Sequence, residues 1–454
     1  MNSNDVYDFI AVGLGPFNLG LACLTKDLPN LNGIFIEQRS GFDWHPGMMI
    51  EGVTLQTPFM ADLVTLAAPD HPLSFLNYLK EKGKLYSYYI RESFFIERDE
   101  YNQYCRWAID QLDTIDFNTR VTEITYSEDS QTYKVKVKKK HSPETQELLA
   151  KKIVLGTGPS PVFPACVKDI DIHTCFHSGE YLKQKEITQQ QESITVIGSG
   201  QSAAEIFYDL LQDIDQFDYQ LNWITRSPRF FPLDYSKLTL EMTSPEYVDY
   251  FYGLDSETRD GLISNQKNLY KGINIELINS IFDLLYTKNL QHKQKVNLLT
   301  NCELKDFEKG KDTRLKFFHR ELKKDFDWYT NSTIFATGYS YRIPRFLDTL
   351  KDHIRWDDKN RFAVHRNYAI DHRGTDIFVQ NAELHTHGFV TPDLGMACYR
   401  NSILIKEITG IEHYPIEKSI AFQTFGVPEP QAHSVKDPVF QQNKQAIFRD
   451  GLSL

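Results

Sequence analysis

The sequence predicts an α/β fold built from two similar units of parallel sheet. Two short apolar runs, 7–12 and 193–197, each lead into a glycine-rich turn and then a helical pattern. Two further apolar runs, 153–155 and 334–336, are followed by Thr-Gly far downstream of each turn. Continuous apolar runs are typical of strands that are buried on both faces. We therefore expect two Rossmann-like dinucleotide-binding domains.

The first domain is expected to be discontinuous. It comprises 1–165 and 331–454, because the second domain, 190–330, interrupts it. Within the insert, 235–290 is expected to form a small, mostly helical region on the substrate side. Four apolar residues there recur at helical spacing: Ile273, Leu277, Ile278 and Ile281.

The composition narrows the classes of function. The chain has 454 residues and a formal net charge of -11, which disfavours nucleic acid and anionic membranes as partners and suits a cationic substrate. No apolar run approaches the roughly 20 residues that span a bilayer. The polar start runs into a strand by Tyr7 without the pattern of a signal peptide. Six scattered cysteines form no C-x-x-C pair and no zinc spacing, so we expect a reduced, cytoplasmic protein without a metal site.

The first glycine turn indicates a dinucleotide site. Gly13 permits a tight turn, and Gly15 lets a pyrophosphate approach the backbone at a helix N-terminus. The third position of the fingerprint is Asn18, where glycine or alanine is usual. Glu37 ends the next strand, where a carboxylate accepts a hydrogen bond from the adenosine ribose. The alternative is a glycine turn without a ligand.

The second turn fits the fingerprint better, with Gly198, Gly200 and Ala203 in place. The strand after it ends in Arg226, where an acidic residue would repel a 2′-phosphate and an arginine binds one. This site is therefore expected to prefer NADPH over NADH. The alternative is that Arg226 is a solvated surface residue.

Two dinucleotide units in one chain imply that one holds FAD and the other delivers a hydride. A disulfide reductase would need paired cysteines beside the flavin, and the sequence has none near the first unit. In the absence of a metal-ligand cluster, the expected electron acceptor is dioxygen. The residues therefore favour a flavin monooxygenase.

Short motifs along most of the chain carry a more specific resemblance. They are Gly-Leu-Gly-Pro-Phe-Asn-Leu at 13–19, Phe-Asp-Trp-His-Pro-Gly-Met at 42–48, Leu-Gln at 55–56, Ser-Phe-Leu-Asn-Tyr-Leu at 74–79, Gly-Gln-Ser-Ala at 200–203, Ala-Thr-Gly-Tyr at 336–339 and Thr-His-Gly at 386–388. In these motifs the chain resembles the siderophore-type N-hydroxylating flavin monooxygenases, which act on a primary amine of lysine, ornithine or a diamine. The resemblance implies FAD in the first unit, NADPH in the insert, and the amine between them.

The resemblance also implies roles for individual residues. The FAD-binding residues are expected to be Gly13, Gly15, Pro16, Asn18, Glu37, Trp44, His45, Gln56, Thr386, His387 and Gly388. The NADPH-binding residues are expected to be Gly198, Ser199, Gly200, Gln201, Ser202 and Arg226. Gln56 is the candidate catalytic residue, because its amide is expected at the flavin edge. Core packing is the alternative for Trp44 and His45, and a helix entry turn is the alternative for 386–388.

Two positions depart from the amino-acid hydroxylases of that family. Ala61 stands where those enzymes typically carry a lysine that grips the substrate carboxylate. Gly395 follows Leu394 where they typically carry a serine. Burying a carboxylate without a charged partner costs on the order of several kcal/mol, so we expect a diamine, putrescine or cadaverine. Asp393 is in the right motif to offer its carboxylate, or a nearby carbonyl, to the distal ammonium; the alternative for Asp393 is a helix N-cap.

The implied reaction transfers a hydride from NADPH to the flavin, forms a C4a-hydroperoxide with dioxygen, and ends with attack by the neutral amine. The expected partners are the diamine, dioxygen and other copies of the chain, as a dimer or tetramer. The expected pathway is hydroxamate siderophore biosynthesis. The alternatives are hydroxylation of lysine, ornithine or a bulkier amine, oxygenation of a sulfur or ketone, and a redox sensor without enzymatic activity.

Overall fold

The computed structural model describes residues 6–142, 144–168, 170, 172–291, 295–310 and 312–427. Its strands are β1 Val6–Val12, β2 Gly33–Ile36, β3 Thr54–Pro58, β4 Phe95–Glu97, β5 Ile115–Asp116, β6 Thr119–Ser127, β7 Thr132–Lys139, β8 Thr145–Leu155, β9 Ser160–Pro161, β10 Cys175–His177, β11 Ser193–Ile197, β12 Gln220–Ile224, β13 Val296–Leu299, β14 Cys302–Glu308, β15 Thr313–His319, β16 Lys324–Thr330, β17 Ser332–Phe335, β18 Tyr339–Ser340 and β19 Ile377–Val379. Its α-helices are α1 Pro16–Thr25, α2 Phe75–Glu81, α3 Leu85–Arg91, α4 Arg98–Ile109, α5 Tyr181–Gln189, α6 Gln201–Phe217, α7 Lys237–Leu240, α8 Pro245–Gly253, α9 Ser256–Asn265, α10 Ile275–Gln291, α11 Leu384–His387 and α12 Ala397–Thr409.

The first sheet has the strand order β5-β2-β1-β8-β7-β6, with β19 also paired to β8. The strands β1, β2, β5, β8 and β19 run parallel to one another. β7 pairs in antiparallel fashion with both β8 and β6. Alternate residues of β1 belong to two separate apolar clusters, Phe9 and Ala11 to one and Ile10 and Val12 to the other. The strand is thus buried on both faces, as its continuous apolar run predicts.

The second sheet is parallel throughout, with the order β10-β17-β11-β12-β13. It includes β10 and β17, which lie outside the range 190–330 that we expected for the insert. The expected boundaries are therefore wrong at both ends, and this unit runs from Cys175 to Phe335 in its strands. An apolar run predicts that a strand is buried, but it does not predict which sheet contains the strand. The pairing of Val196 with Ile334 shows that β17 belongs to the second sheet.

The two Thr-Gly segments lie next to the two glycine turns, because the strand before each Thr-Gly segment pairs with the strand before one of the turns. β8 lies beside β1, and β17 lies beside β11. The two units are joined by two chain crossings, which pair with each other as the short strands β9 and β18. A three-stranded antiparallel sheet, β14-β15-β16, precedes β17.

The stretch that we expected to be helical contains α7, α8, α9 and most of α10. Ile273 and Ile281 join the apolar core of the second sheet with residues of α6. Phe251 of α8 instead packs against Phe389 of the first unit. This helical region therefore contacts both units. The C-terminal part of the expected first domain, 428–454, lies outside the described residues.

Candidate active site

The first glycine turn is packed closely against the protein at Gly13 but leaves open space at Gly15. A Cβ on Gly13, which has a φ of +89°, would lie 2.6 Å from the Gly156 carbonyl oxygen. Gly15 differs, because its φ of -92° suits any residue and no protein atom lies within 4 Å of its Cβ position. α1 begins at Pro16 without a side-chain cap, so its first N–H groups are free for a ligand. This open helix N-terminus fits a pyrophosphate.

Asn18 and Glu37 both brace this turn. The Nδ2 of Asn18 donates to the Gly13 carbonyl oxygen at 2.6 Å, and its Oδ1 accepts from Gln380 at 2.7 Å. Asparagine at the third fingerprint position therefore ties the turn to the residue after β19. The carboxylate of Glu37 accepts from the Leu14 N–H at 2.8 Å, which places it beside the turn.

The second turn repeats this arrangement. A Cβ on Gly198 would lie 2.3 Å from the Ala336 carbonyl oxygen, whereas a Cβ on Gly200 would meet only the Lys271 carbonyl oxygen, at 3.9 Å. α6 follows Gly200 and has no side-chain cap. The half-buried Ser199 and Ser202 border the same turn. A second pyrophosphate therefore fits here.

Arg226 is exposed just beyond β12, as expected, and two lysines that the sequence did not single out lie near it. Burial, followed by the positive charges of Lys267 and Arg226, lowers the pKa of Lys271. In the described part of the chain, none of these three cations forms an ion pair with a carboxylate. Three uncompensated cations favour an anion. Their separation in sequence hides this cluster from motif analysis.

Gln56 and Gln201, expected at different cofactors, contact each other directly. The Nε2 of Gln56 donates to the Oε1 of Gln201 at 3.2 Å, and the Asn274 N–H donates to the same oxygen at 2.8 Å. Gln201 in turn donates to Glu205 at 2.9 Å. Glu205 accepts two hydrogen bonds from Arg98, at 2.8 and 3.0 Å. This network joins the first unit, the second unit and the helical region.

Trp44 and His45 lie where the two units meet. The His45 ring lies 4.7 Å from Trp44 and 6.0 Å from Tyr339, measured between ring centroids. Burial, followed by the positive charges of Arg98 and Arg39, lowers the pKa of His45 to about 4. His45 is nevertheless an exposed residue. A neutral, accessible imidazole at this place fits the edge of a flavin.

The motif at 386–388 differs from the expectation. His387 is fully buried, and both ring nitrogens have protein partners, Thr386 at 2.9 Å and the Arg366 carbonyl oxygen at 3.2 Å. The buried Gly388 lies against the ring of Phe251. A 3-10 turn, Gly388–Val390, follows the motif, and α12 begins only at Ala397. The ring nitrogens of His387 and the hydroxyl of Thr386, which also donates to the Glu383 carbonyl oxygen, are thus hydrogen-bonded within the protein.

The two segments expected to hold the substrate lie side by side. The Cys398 thiol lies 3.9 Å from the Asp62 carbonyl oxygen, so the two segments meet next to Ala61. Ala61 is only 4% exposed, so a longer side chain would have to extend from a buried position. Leu394 and Gly395 are half-buried and remain accessible.

Asp393 has a polar neighbour that the sequence did not single out. Its carboxylate accepts from the Gly395 N–H at 2.8 Å and begins a short 3-10 turn, so it does cap a helix. Burial and the nearby charge of Asp393 raise the pKa of Tyr235. The buried Tyr235 hydroxyl has no hydrogen-bond partner among the described residues. Tyr235 also lines a cavity of about 320 Å³.

Within the described residues, no group of histidine, cysteine, aspartate and glutamate side chains could hold a metal ion. The helices in the same part of the chain include none long and apolar enough to cross a membrane.

A family model described as L-lysine 6-monooxygenase/L-ornithine 5-monooxygenase matches residues 5–341. The chain belongs to this family. A putrescine N-hydroxylase from Shewanella oneidensis is 50% identical over 443 residues, which cover 97% of this chain and 88% of that protein. The family assignment confirms the expected N-hydroxylating flavin monooxygenase.

Two solved members of the family share this fold. A cadaverine monooxygenase of the desferrioxamine pathway from Erwinia amylovora, bound to FAD, is 57% identical with a TM-score of 0.92, covering 94% of this chain and 100% of that one. An ornithine N-hydroxylase from Kutzneria, with reduced FAD, NADP+ and ornithine, is 26% identical with a TM-score of 0.82, covering 89% and 99%. The expected α/β fold and the cofactor pair FAD and NADPH agree with these relatives.

Proposed function

We propose that this monooxygenase N-hydroxylates one primary amine of an aliphatic diamine, putrescine or cadaverine, in the biosynthesis of a hydroxamate siderophore. The observation that carries the proposal is the pair Ala61 and Gly395. Their segments meet at the contact between Cys398 and Asp62, and neither residue has a polar side chain to offer to a substrate carboxylate. A carboxylate cannot be buried there without a large free-energy cost. The named activities of the relatives, on putrescine and on cadaverine, support the same substrate class.

The acidic end of the site suits the second amine. Asp393 offers a carboxylate, and Tyr235, which interacts with Asp393 electrostatically, offers a hydroxyl oxygen that has no partner among the described residues. A diamine needs one charged end to be held and the other end to lose its proton, since only a neutral amine is nucleophilic. The usual pKa of an alkylamine is about 10.4, and burial lowers it. We place the distal ammonium at Asp393 and the reacting amine toward the flavin.

The two cofactors fit the two glycine turns. The flavin supplies oxygen activation when bound. The open backbone at Gly15 and the N-terminus of α1 would hold its pyrophosphate, with Glu37 toward the ribose. Trp44, His45 and Gln56 would line its ring. Gly200, Ser202 and Gln201 would hold NADPH, with Arg226 and Lys271 toward the 2′-phosphate. Excluding water from the cleft prevents loss of the activated oxygen as hydrogen peroxide.

The experiment that tests the substrate class is an amine panel with the purified FAD-loaded enzyme. Putrescine, cadaverine, lysine, ornithine and spermidine are each incubated with NADPH, and the hydroxylamine product is measured together with NADPH consumption. We expect product from putrescine or cadaverine. Efficient product formation from lysine or ornithine would assign the chain to the amino-acid hydroxylases instead. NADPH consumption without product on every amine would contradict both assignments.

We propose that the protein is cytoplasmic, since NADPH is a cytoplasmic reductant. We also propose that it forms a homo-oligomer, a dimer or tetramer. α3 has no buried residue, and it presents the exposed Tyr86, Tyr89 and Ile90 next to the exposed Phe94. Apolar patches of this kind mark interaction sites. Light scattering should give a multiple of the 52.8 kDa chain mass, and serine at the three α3 positions should lower it. A monomeric wild-type protein would contradict the proposal.

A further inference from the structure

Arg400 of α12 is a buried cation that none of the proposed roles uses. It is 1% exposed. Its guanidinium lies 4.7 Å from the ring centroid of Phe17 and 5.5 Å from that of Tyr368. Phe17 follows Pro16 in the first turn of α1. The guanidinium is therefore packed between the first glycine turn and the segment that leads to Asp393.

Its hydrogen bonds reach that segment directly. The Nη2 of Arg400 donates to the carbonyl oxygen of Thr391 at 2.9 Å and to that of Val390 at 3.3 Å. The Nη1 lies 3.1 Å from the Oε1 of Glu383, a carboxylate that is also fully buried. The guanidinium thus holds the backbone two residues before Asp393.

The charge of Arg400 acts on Asp393 as well. The pKa of Asp393 is raised overall by burial, and the Gly395 N–H and the positive charge of Arg400 offset part of that rise. Tyr235 also interacts electrostatically with Asp393, and its phenol stays neutral because burial raises its pKa. Arg400 therefore opposes the protonation of Asp393. Glu383 compensates the charge of Arg400, which limits its repulsion of a nearby ammonium.

A buried ion pair contributes little net folding stability once the desolvation of both charges is counted, although removing one partner is strongly destabilising. We propose that the buried Arg400–Glu383 pair is a positioning element for the distal ammonium of the substrate, acting through the Val390–Thr391 backbone and the Asp393 carboxylate. The inference rests on the proposed diamine function. Arg400 does not touch the reacting atoms, so it is a positioning residue and not a catalytic one.

The test compares putrescine with butylamine, which has the same chain length but no distal ammonium. The kcat/KM of each amine is measured from hydroxylamine formation with wild-type, Arg400→Gln and Arg400→Lys holoenzymes of matched FAD content. We expect Arg400→Gln to lower the putrescine-to-butylamine ratio by about 10-fold or more, since a misplaced or neutral Asp393 no longer binds the second charge. Arg400→Lys keeps the charge but loses the planar fork, so its ratio should be intermediate.

Arg361→Gln is the matched control, because Arg361 is a half-buried arginine that pairs with Asp260 and Asp357. It should leave the ratio unchanged. If Arg400 had only a general structural role, Arg400→Gln would lower the kcat/KM for putrescine and for butylamine by the same factor. An unchanged putrescine-to-butylamine ratio in Arg400→Gln therefore overturns the inference. If Arg400→Gln does not fold, the inference is overturned when Arg400→Lys and the wild-type enzyme have the same putrescine-to-butylamine ratio of kcat/KM. Wild-type enzyme that forms no product from either putrescine or cadaverine overturns the proposed function, and this inference with it.

Discussion

The side-chain amide of Gln56 donates a hydrogen bond of 3.2 Å to the Oε1 of Gln201, so β3 of the first unit is joined to the first residue of α6 in the second. The two residues are 145 positions apart in the chain. One lies on the side where we place the flavin, and the other lies where we place the nicotinamide nucleotide. The contact therefore offers a direct link between the two half-sites.

We expect Gln56 and Gln201 to be energetically coupled. Alanine at either position should lower kcat/KM for amine-dependent NADPH oxidation. The free-energy cost of the double variant, calculated from kcat/KM, should be smaller than the sum of the costs of the two single variants. A side-chain hydrogen bond of this kind is worth about 1 kcal/mol, which sets the expected coupling in a double-mutant cycle. The control cycle pairs Gln201 with the exposed Gln103 of α4. Strict additivity for Gln56 and Gln201 would show that the contact has no role in catalysis.

The two glycine turns should separate the two cofactors. Valine at Gly15 should give protein without FAD, because the side chain fills the open space beside the N-terminus of α1. Valine at Gly200 should give yellow protein with a KM for NADPH raised by roughly 10-fold or more, because a misfit side chain displaces the pyrophosphate. FAD absorbance and steady-state kinetics measure these effects.

Gly261→Val on α9 is the matched control, since Gly261 has no close protein neighbour either. Valine has a higher helix propensity than glycine, so this substitution is not expected to destabilise α9. Retention of FAD in Gly15→Val would exclude the first turn as the flavin site.

Arg226 should determine the choice of nicotinamide nucleotide. Arg226→Ala should raise the KM for NADPH by roughly 10-fold and leave the KM for NADH nearly unchanged, since only NADPH carries the 2′-phosphate. Lys271→Ala should act in the same direction with a smaller effect. The exposed Arg345 provides a control substitution outside this cluster. An equal loss with both nucleotides would exclude recognition of the 2′-phosphate by Arg226.

Substrate choice should respond to Ala61. The wild-type enzyme should favour putrescine or cadaverine over ornithine or lysine by about 100-fold in kcat/KM, within the cost of an unpaired buried charge. Ala61→Lys should narrow that gap by repelling the distal ammonium and attracting a carboxylate. Because Ala61 is buried, Ala61→Met is the control for added volume without charge. Narrowing in both variants would point to volume as the cause.

Acid should destabilise the protein through its buried neutral histidines. Burial holds the pKa of His387 well below its usual value of 6.5. In the unfolded chain this histidine binds a proton near pH 6.5, while the folded protein stays neutral, so stability falls as the pH drops below about 6.5. Burial also lowers the pKa of His45, His71, His177 and His385 in the same direction.

Urea midpoints at pH 8, 6 and 5 measure this effect. His387→Gln should be less stable at pH 8, because a packed ring is lost, but its stability should fall less on acidification. Glutamine at the exposed His141 should leave the wild-type pH dependence unchanged. If His387→Gln keeps the full wild-type dependence, His387 does not contribute to acid sensitivity.

The sequence by itself determined the local features of this protein: the two glycine turns, the helices that follow them, and Arg226 after β12. Each depends on residues close together in the chain, where glycine conformation and apolar periodicity act directly. The Ala61 and Gly395 replacements were visible for the same reason. Only the tertiary structure decided which sheet holds β17, because strand pairing joins distant segments whose apolar runs look alike. It also decided that His387 is buried, that Lys271 lies near Arg226, and that Gln56 meets Gln201, since burial and long-range contact depend on how the two units pack.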